Sequence, residues 1–505
     1  MRKLFYTISA FIVSLQAYAQ PTFIKDSLDV FITREMQRWQ VPGLAIAIVK
    51  DGQVVVQKGF GVKQFDKPES KVDENTLFQI ASNSKAFTGT AVAWLNSEKR
   101  LSLDEKVTTY LPYFRLYDET STQLCTVRDL LCHRLGTQTF QGDFLNWGSD
   151  LTRKQIVEGL ARTKPVHPFR YKYGYSNAGF ITAGEIILAT TDTTWDDFLL
   201  HRFFKPLGMN RTTTTYAAMV NDNNACLPHT LVDGKMVKMP LTNIDNMGAS
   251  ASVNSCVGDM KNWLLLQLNN GQLNGKQIIP TEVIAETRKS NMVVNDVNSK
   301  FFKSKHFATY TLGWQMNDYN GRRIIEHSGG ANGFVTKTEL VPEENLGVIV
   351  YTNTDANSLY DALCKQVLEA YLGLPYRNVS ELYYINSQKG KQAAAAQLKA
   401  VRDTIALRNK PALKLNDYCG TYTNSLYGKV DVKLVKGKLQ LFLEHHPNNV
   451  GKLDFINDNR FLCTYTDVTC GVEPLSFNIE NNQVKSVTVK VADFIDYLPY
   501  EFVKE

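Results

Sequence analysis

Apolar residues recur with a helical period over residues 24–40, and the pattern then changes to two short apolar runs, 43–49 and 53–59, separated by Asp51-Gly52. That change predicts a helix followed by a β-hairpin, with an Asp-Gly turn of the kind that matches strand twist. A second helical pattern covers 82–95 and leads through Leu101-Ser102-Leu103-Asp104 into a turn-rich passage at Tyr110-Leu111-Pro112. Residues 127–132 predict a short helix ending near Gly136. Residues 256–268 predict a longer one, with Val257, Met260, Trp263, Leu264 and Leu268 on its buried side. Consecutive antiparallel strands are expected at 322–326, 334–341 and 346–352, and a helix at 359–372 closes this part of the chain. Strands at both ends with helices between them predict an α+β domain, in which an antiparallel sheet is assembled from both termini and flanked by a helical region.

From 376 to 411 the sequence turns polar, charged and alanine-rich, which predicts a partly helical connector between domains. Beyond it, short β-rich segments at 420–422, 429–435, 438–444, 461–465, 475–479 and 484–491 alternate with turn residues. That spacing predicts a small antiparallel barrel or sandwich over 412–505. A chain of 505 residues exceeds what one hydrophobic core usually organises, in keeping with a first domain over 20–375 and this second one.

The first residues change the expected compartment. Met1-Arg2-Lys3 precedes an apolar run over 4–15, and Ala17-Tyr18-Ala19 follows. The run is too short to span a bilayer and a small-x-small site stands directly after it, so residues 1–19 read as a signal peptide cleaved after Ala19. No cysteine follows that run, which argues against a lipid anchor. The expectation is an exported protein, periplasmic or secreted, without a membrane span. A net charge of +6, from 56 basic and 50 acidic residues, is small for this length and spread evenly, which disfavours nucleic acid as a partner. The eight cysteines lack paired metal-site spacing; Cys463 and Cys470 form the best candidate disulfide, and the others read as small buried residues.

Three short motifs carry candidate chemistry. Ser82-Asn83-Ser84-Lys85 puts a serine and a lysine one helical turn apart, so that the Lys85 amine can reach the Ser82 hydroxyl. A helix start also offers free backbone N–H groups to the anion that forms when a serine attacks a carbonyl. Tyr175-Ser176-Asn177 and His327-Ser328-Gly329-Gly330 follow in order downstream. The chain has no Gly-x-Ser-x-Gly elbow, which disfavours an α/β-hydrolase.

With these three motifs, and with Asp129-Leu130-Leu131-Cys132-His133-Arg134-Leu135-Gly136 and Pro206-Leu207-Gly208-Met209 beside them, the sequence over 43–373 resembles the serine β-lactamase and penicillin-binding protein superfamily. The likeness is to its class C-like branch of D-aminopeptidases, esterases and related peptidases. The resemblance implies a β-lactamase-like sheet, no cofactor or metal, and a small-molecule or peptide substrate attacked to give an acyl-enzyme. It implies Ser82 as nucleophile, with Lys85 and Tyr175 moving its proton; either could be the base. It further implies Asn177 as the residue that orients Lys85 and meets the substrate amide, and the N–H groups of Ser82 and Gly330 as an oxyanion hole. Gly329 and Gly330 would let their strand approach the substrate.

His327 departs from the lysine usual at that place in β-lactamases and carboxypeptidases, where the lysine holds a substrate carboxylate. A histidine, shorter and mostly neutral, attracts a carboxylate less. The reading therefore favours hydrolysis of peptide, amide or ester bonds. A β-lactamase or D-Ala-D-Ala carboxypeptidase is the alternative enzyme, and a non-catalytic binding or sensor protein on the same fold the alternative outside enzymes. The second domain, opening Asp417-Tyr418-Cys419-Gly420-Thr421-Tyr422, resembles the lipocalin-like domain attached to some of these hydrolases, which in relatives can cover the active-site mouth or mediate assembly.

Other residues have plainer readings. His133 and His201 suit helix ends or interfaces, His445-His446 a solvated loop pair, and the tyrosines near 171–175, apart from Tyr175, packing. Phe114, Trp147 and Phe334 read as core before cleft.

Overall fold

The computed structural model describes residues 20–296 and 302–505. The proposed signal segment, 1–19, lies outside them. Eight antiparallel strands form one sheet in the order Gln53–Gly61, Gly43–Lys50, Leu346–Thr352, Phe334–Val341, Arg322–Ala331, Gln315–Tyr319, Phe307–Tyr310 and Met292–Asp296. The first hairpin thus pairs with the last strand in sequence, so the sheet is assembled from both ends of the domain. Strand Gly43–Lys50 is buried on both faces. Leu44, Ile46 and Ile48 pack with Val348 and Val350 beneath helices Leu28–Trp39 and Leu359–Tyr371, while Ala45, Ala47 and Val49 face the helical region. Period-two alternation puts bulky side chains on one face and small ones on the other, and this lets helix Val257–Leu268 lie close to the sheet.

Two local differences from expectation shape the active region. Strand Arg322–Ala331 runs past Glu326, because its pairing continues in register to Ala331 opposite Phe334 around the Asn332-Gly333 turn. Ser82 does not open an α-helix; it sits in a 3₁₀ turn, Ala81–Asn83, ahead of helix Ser84–Ser97. Ala81 takes φ +46°, a left-handed conformation costly for a residue with a Cβ, directly before the serine.

The connector contains one helix, Val379–Ala406, of 28 residues, capped at its start by the Asn378 side chain accepting from the Glu381 N–H. Its run of alanine, lysine and glutamine favours helix throughout. The last domain is a closed barrel of eight antiparallel strands, from Gly420–Asn424 to Tyr500–Lys504, which pair with each other to complete it. Sequence patterning missed two of its strands. Val450–Asn457 hides its alternation behind Gly451 and Asp454, and Tyr500–Lys504 is short and charged. Cys463 and Cys470 are buried and unbridged; Cys470 instead accepts a hydrogen bond from Asn449 at 3.2 Å.

The barrel packs on the helical region along a seam. Asp150 pairs with His445 at 2.8 Å, and the His446 ring N–H donates to the Trp147 carbonyl at 3.0 Å, so both histidines are half-buried seam residues and not the solvated pair expected.

Candidate active site

Three segments distant in sequence meet at the sheet edge nearest the barrel: the turn before helix Ser84–Ser97, the start of helix Asn177–Thr191, and the end of strand Arg322–Ala331. Ser82, Tyr175, Asn177, His327, Gly329 and Gly330 line a single cavity of about 550 Å³. Lys85, the remaining residue singled out from the sequence, is fully buried beneath it.

Lys85 Nζ makes three contacts: 3.2 Å to Ser82 Oγ, 2.6 Å to Asn177 Oδ1 and 2.8 Å to the Ser250 carbonyl. The last two partners only accept. A neutral amine has two N–H bonds and one lone pair, so when both N–H groups serve these oxygens the lone pair is left for the Ser82 hydroxyl. Burial pushes the Lys85 amine well below its ordinary value of 10.5, opposed by the more distant Asp143, whose own carboxyl is pushed well above its ordinary value by burial and by Asp496. The Lys85 nitrogen also sits 4.6 Å from the Tyr175 ring centre. Tyr175 hydrogen-bonds Ser82, and burial raises its phenol well above 10, so it stays protonated.

His327 is fixed as the neutral ring. Its Nδ1–H donates to the Ser328 carbonyl at 2.6 Å and its Nε2 accepts from the Tyr310 hydroxyl at 2.9 Å. Burial first, then the nearby Lys85, pushes its pKa down to about 3. His133, for its part, is a buried packing residue whose Nδ1 accepts from the Ser176 N–H at 3.0 Å and whose ring lies 4.2 Å from that of Tyr175.

The two glycines serve different neighbours. A Cβ on Gly329 would fall 2.1 Å from the Ile80 carbonyl oxygen, so this glycine also lets the strand pack against the segment leading to Ser82. A Cβ on Gly330 would meet the Phe494 ring at 3.1 Å. Phe494 belongs to the barrel domain, and Asp493, Ile495 and Tyr497 from the same segment also line the cavity. Tyr497 stacks on Phe140, which in turn meets the edge of Tyr175. Of the three aromatics weighed for the cleft, Trp147 lines the cavity, whereas Phe114 and Phe334 are fully buried core.

Sequence reasoning missed Ser250, Tyr310, Asp143 and the 493–497 segment. No spacing links them to a motif; only the fold brings them in. Among the described residues no cluster of side chains could hold a metal ion, and no helix is long and apolar enough to cross a membrane.

Residues 28–371 match the family model described as Beta-lactamase, and residues 406–504 match one described as a domain of unknown function (DUF3471). Among curated proteins, Protein flp of Staphylococcus aureus strain COL is 25% identical over 337 residues, covering 66% of this chain. The match spans 64% of the length of that relative. Unguisins hydrolase ungD' of Aspergillus campestris is 24% identical over 428 residues, 79% of this chain and 76% of its own. Among solved structures, the octameric penicillin-binding protein homologue from Pyrococcus abyssi superposes with a TM-score of 0.60 at 22% identity, covering 94% of this chain and 99% of that one. SurE does so with a TM-score of 0.56 at 15% identity, covering 95% and 99%. These two share the fold. With the family model spanning the whole of the sheet and the helical region, the chain belongs to the β-lactamase family.

Proposed function

We propose that this protein is an exported serine hydrolase that opens peptide, amide or ester bonds through an acyl-enzyme on Ser82. The observation that carries the reading is the contact set of Lys85: a buried amine within hydrogen-bond distance of the Ser82 hydroxyl, the Asn177 side-chain oxygen and the Ser250 carbonyl, with no carboxylate in direct contact, a setting that favours the neutral amine with its lone pair toward Ser82. In this reading Lys85 accepts the serine proton as Ser82 Oγ attacks the carbonyl carbon. Backbone N–H groups of Ser82 and Gly330 hold the resulting oxyanion, and Tyr175 gives its phenol proton to the departing group as it takes up the one Lys85 received, so that both end as they began. Water then takes the acyl group by the reverse route.

The neutral His327 supports substrates without a carboxylate beside the scissile bond, and so disfavours β-lactams and C-terminal D-Ala-D-Ala. A second cavity of about 920 Å³ along the barrel seam shares Trp147 and Ile495 with the first, which supports a substrate longer than a single residue. The hydrolase among the relatives supports the class of reaction. Export rests on the reading of residues 1–19 and is tested by N-terminal sequencing of the mature protein, which should begin at Gln20. To test the activity, purified protein is treated with a fluorophosphonate and screened against D- and L-amino-acid amides, short esters and nitrocefin. We expect a single adduct on Ser82 and turnover of amides or esters well above nitrocefin. Folded protein that binds these compounds without acquiring the adduct contradicts the proposal.

A further inference from the structure

We propose that Asp143 is a positioning residue for the Lys85 amine, and that Asp496 of the barrel holds Asp143 in place, so that the second domain is a structural part of the reaction centre. This rests on the acyl-enzyme reading above and adds to it two residues that no motif contains. Asn177 presents an amide whose two ends have nearly the same shape. Were its NH₂ turned toward Lys85, the amine would aim its lone pair at that donor and lose its role toward Ser82. Asp143 removes the choice: its Oδ2 accepts from Asn177 Nδ2 at 2.6 Å, which leaves Oδ1 to face Lys85. Asp143 is 3% exposed and touches neither Ser82 nor the lysine by hydrogen bond, so it acts through the asparagine.

The loop that delivers Asp143 is unusual. Phe140 has φ +62° and Gly142 φ +93°, so the segment does not hold its shape by local preference. The barrel supplies the restraint. Asp496, fully buried, accepts through the same Oδ2 from the backbone N–H of Gly142 at 3.0 Å and of Phe144 at 3.4 Å, the two residues that flank Asp143. The hydroxyls of Tyr427 and Tyr500, both from barrel strands or their turns, donate to that oxygen at 3.0 Å each. Phe144 packs on Tyr427 with ring centres 5.0 Å apart, and Phe140 stacks on Tyr497. Asp496 therefore holds the backbone on either side of Asp143 by hydrogen bonds, and hydrogen bonds run on from Asp143 to Asn177 and Lys85.

A residue that only glues the domains together would change stability without singling out the chemical step. Fluorophosphonate inactivation separates the two, because its concentration dependence gives a maximal rate and a half-saturation concentration. For Asp143→Ala we expect the maximal rate to fall about 100-fold, the loss typical of misplacing a reacting group by an ångström, with half-saturation within about threefold of wild type. Asp143→Asn keeps an oxygen acceptor and should recover to within about tenfold of wild type. Asp496→Ala should slow inactivation about tenfold, and Asp143→Ala/Asp496→Ala should be no slower than Asp143→Ala alone, because one residue acts through the other. Losses that multiply in the double variant, or a maximal rate unchanged in Asp143→Ala, overturn the proposal. If Asp496→Ala does not fold, Tyr427→Phe/Tyr500→Phe reads the same link by removing two of its four donors, and an unchanged maximal rate there also overturns it. A wild type never labelled at Ser82 strikes the acyl-enzyme reading; a labelled wild type indifferent to Asp143 strikes only this one.

Discussion

Of the buried lysines in the first domain, Lys85 and Lys337 are pushed in opposite directions by their surroundings. Lys337, on the central strand Phe334–Val341, has three carboxylates against its ammonium: Glu326 at 2.6 Å, Glu339 at 3.2 Å, and Asp361 in direct contact. Those charges outweigh burial and hold its pKa well above 10.5. Lys85 is equally hidden, yet its direct partners are a hydroxyl, an amide oxygen and a backbone carbonyl, and the nearest carboxylate, Asp143, reaches it through Asn177. Here burial wins and the amine is pushed down. Burial alone therefore does not make a lysine a base. What decides is whether a carboxylate touches it: Lys85 has none in direct contact, and the nearest carboxyl, Asp143, sits behind Asn177 and is itself pushed toward its protonated form by burial and by Asp496.

The sharpest way to break this contrast is to remove each lysine in turn. Lys85→Ala should lower fluorophosphonate labelling of Ser82 by about 10⁴-fold while the protein melts no earlier than wild type, since a poised and unpaired base costs the fold more than it contributes. Lys337→Met should do the reverse. With three carboxylates left uncompensated, we expect a loss of about 3–5 kcal/mol in chemical denaturation and normal labelling of whatever remains folded. If Lys337→Met slows labelling without lowering stability, the two sites are not separate in kind.

Smaller effects sharpen the picture around His327. Tyr310→Phe deletes the donor to Nε2 and leaves a buried acceptor unserved, which should cost about 1–3 kcal/mol by the same denaturation measurement. The histidine also has a pH signature. Its folded pKa, about 3, lies below the ordinary 6.5, so between these values the unfolded chain binds more protons than the folded one. Stability from this group is complete above pH 6.5 and drains away as pH falls toward 3. His327→Gln should flatten that part of the stability profile; an equally steep acid limb in the variant would show that other groups produce it.

How much of this was legible in the sequence differs between the two lysines and what surrounds them. Ser82 and Lys85 stand one turn apart, and a spacing of three residues is a local geometric fact that survives folding almost unchanged. Tyr175 with Asn177, and His327 with Gly329 and Gly330, are also local pairs, and the sheet built from 43–61 and 322–352 follows from strong alternation. The Lys337 cluster, by contrast, draws Asp361 from a helix and Glu326 from a neighbouring strand, positions that only sheet register brings together. The same holds for Asp143 and Asp496, which lie 353 residues apart and meet across a domain seam. Gly329 shows the intermediate case: the need for a glycine was visible, but the close approach of the Ile80 carbonyl, which also requires one, was not.

The pH dependence of acylation at Ser82, followed by intact mass with a fluorophosphonate whose own reactivity is flat over the range, tests the central claim most directly. If Lys85 is the unprotonated base, the rate reaches its plateau well below the ordinary lysine value of 10.5 and the adduct is absent from Ser82→Ala. A rate that keeps climbing through that ordinary range, or an adduct that forms equally on Ser82→Ala, would contradict the account.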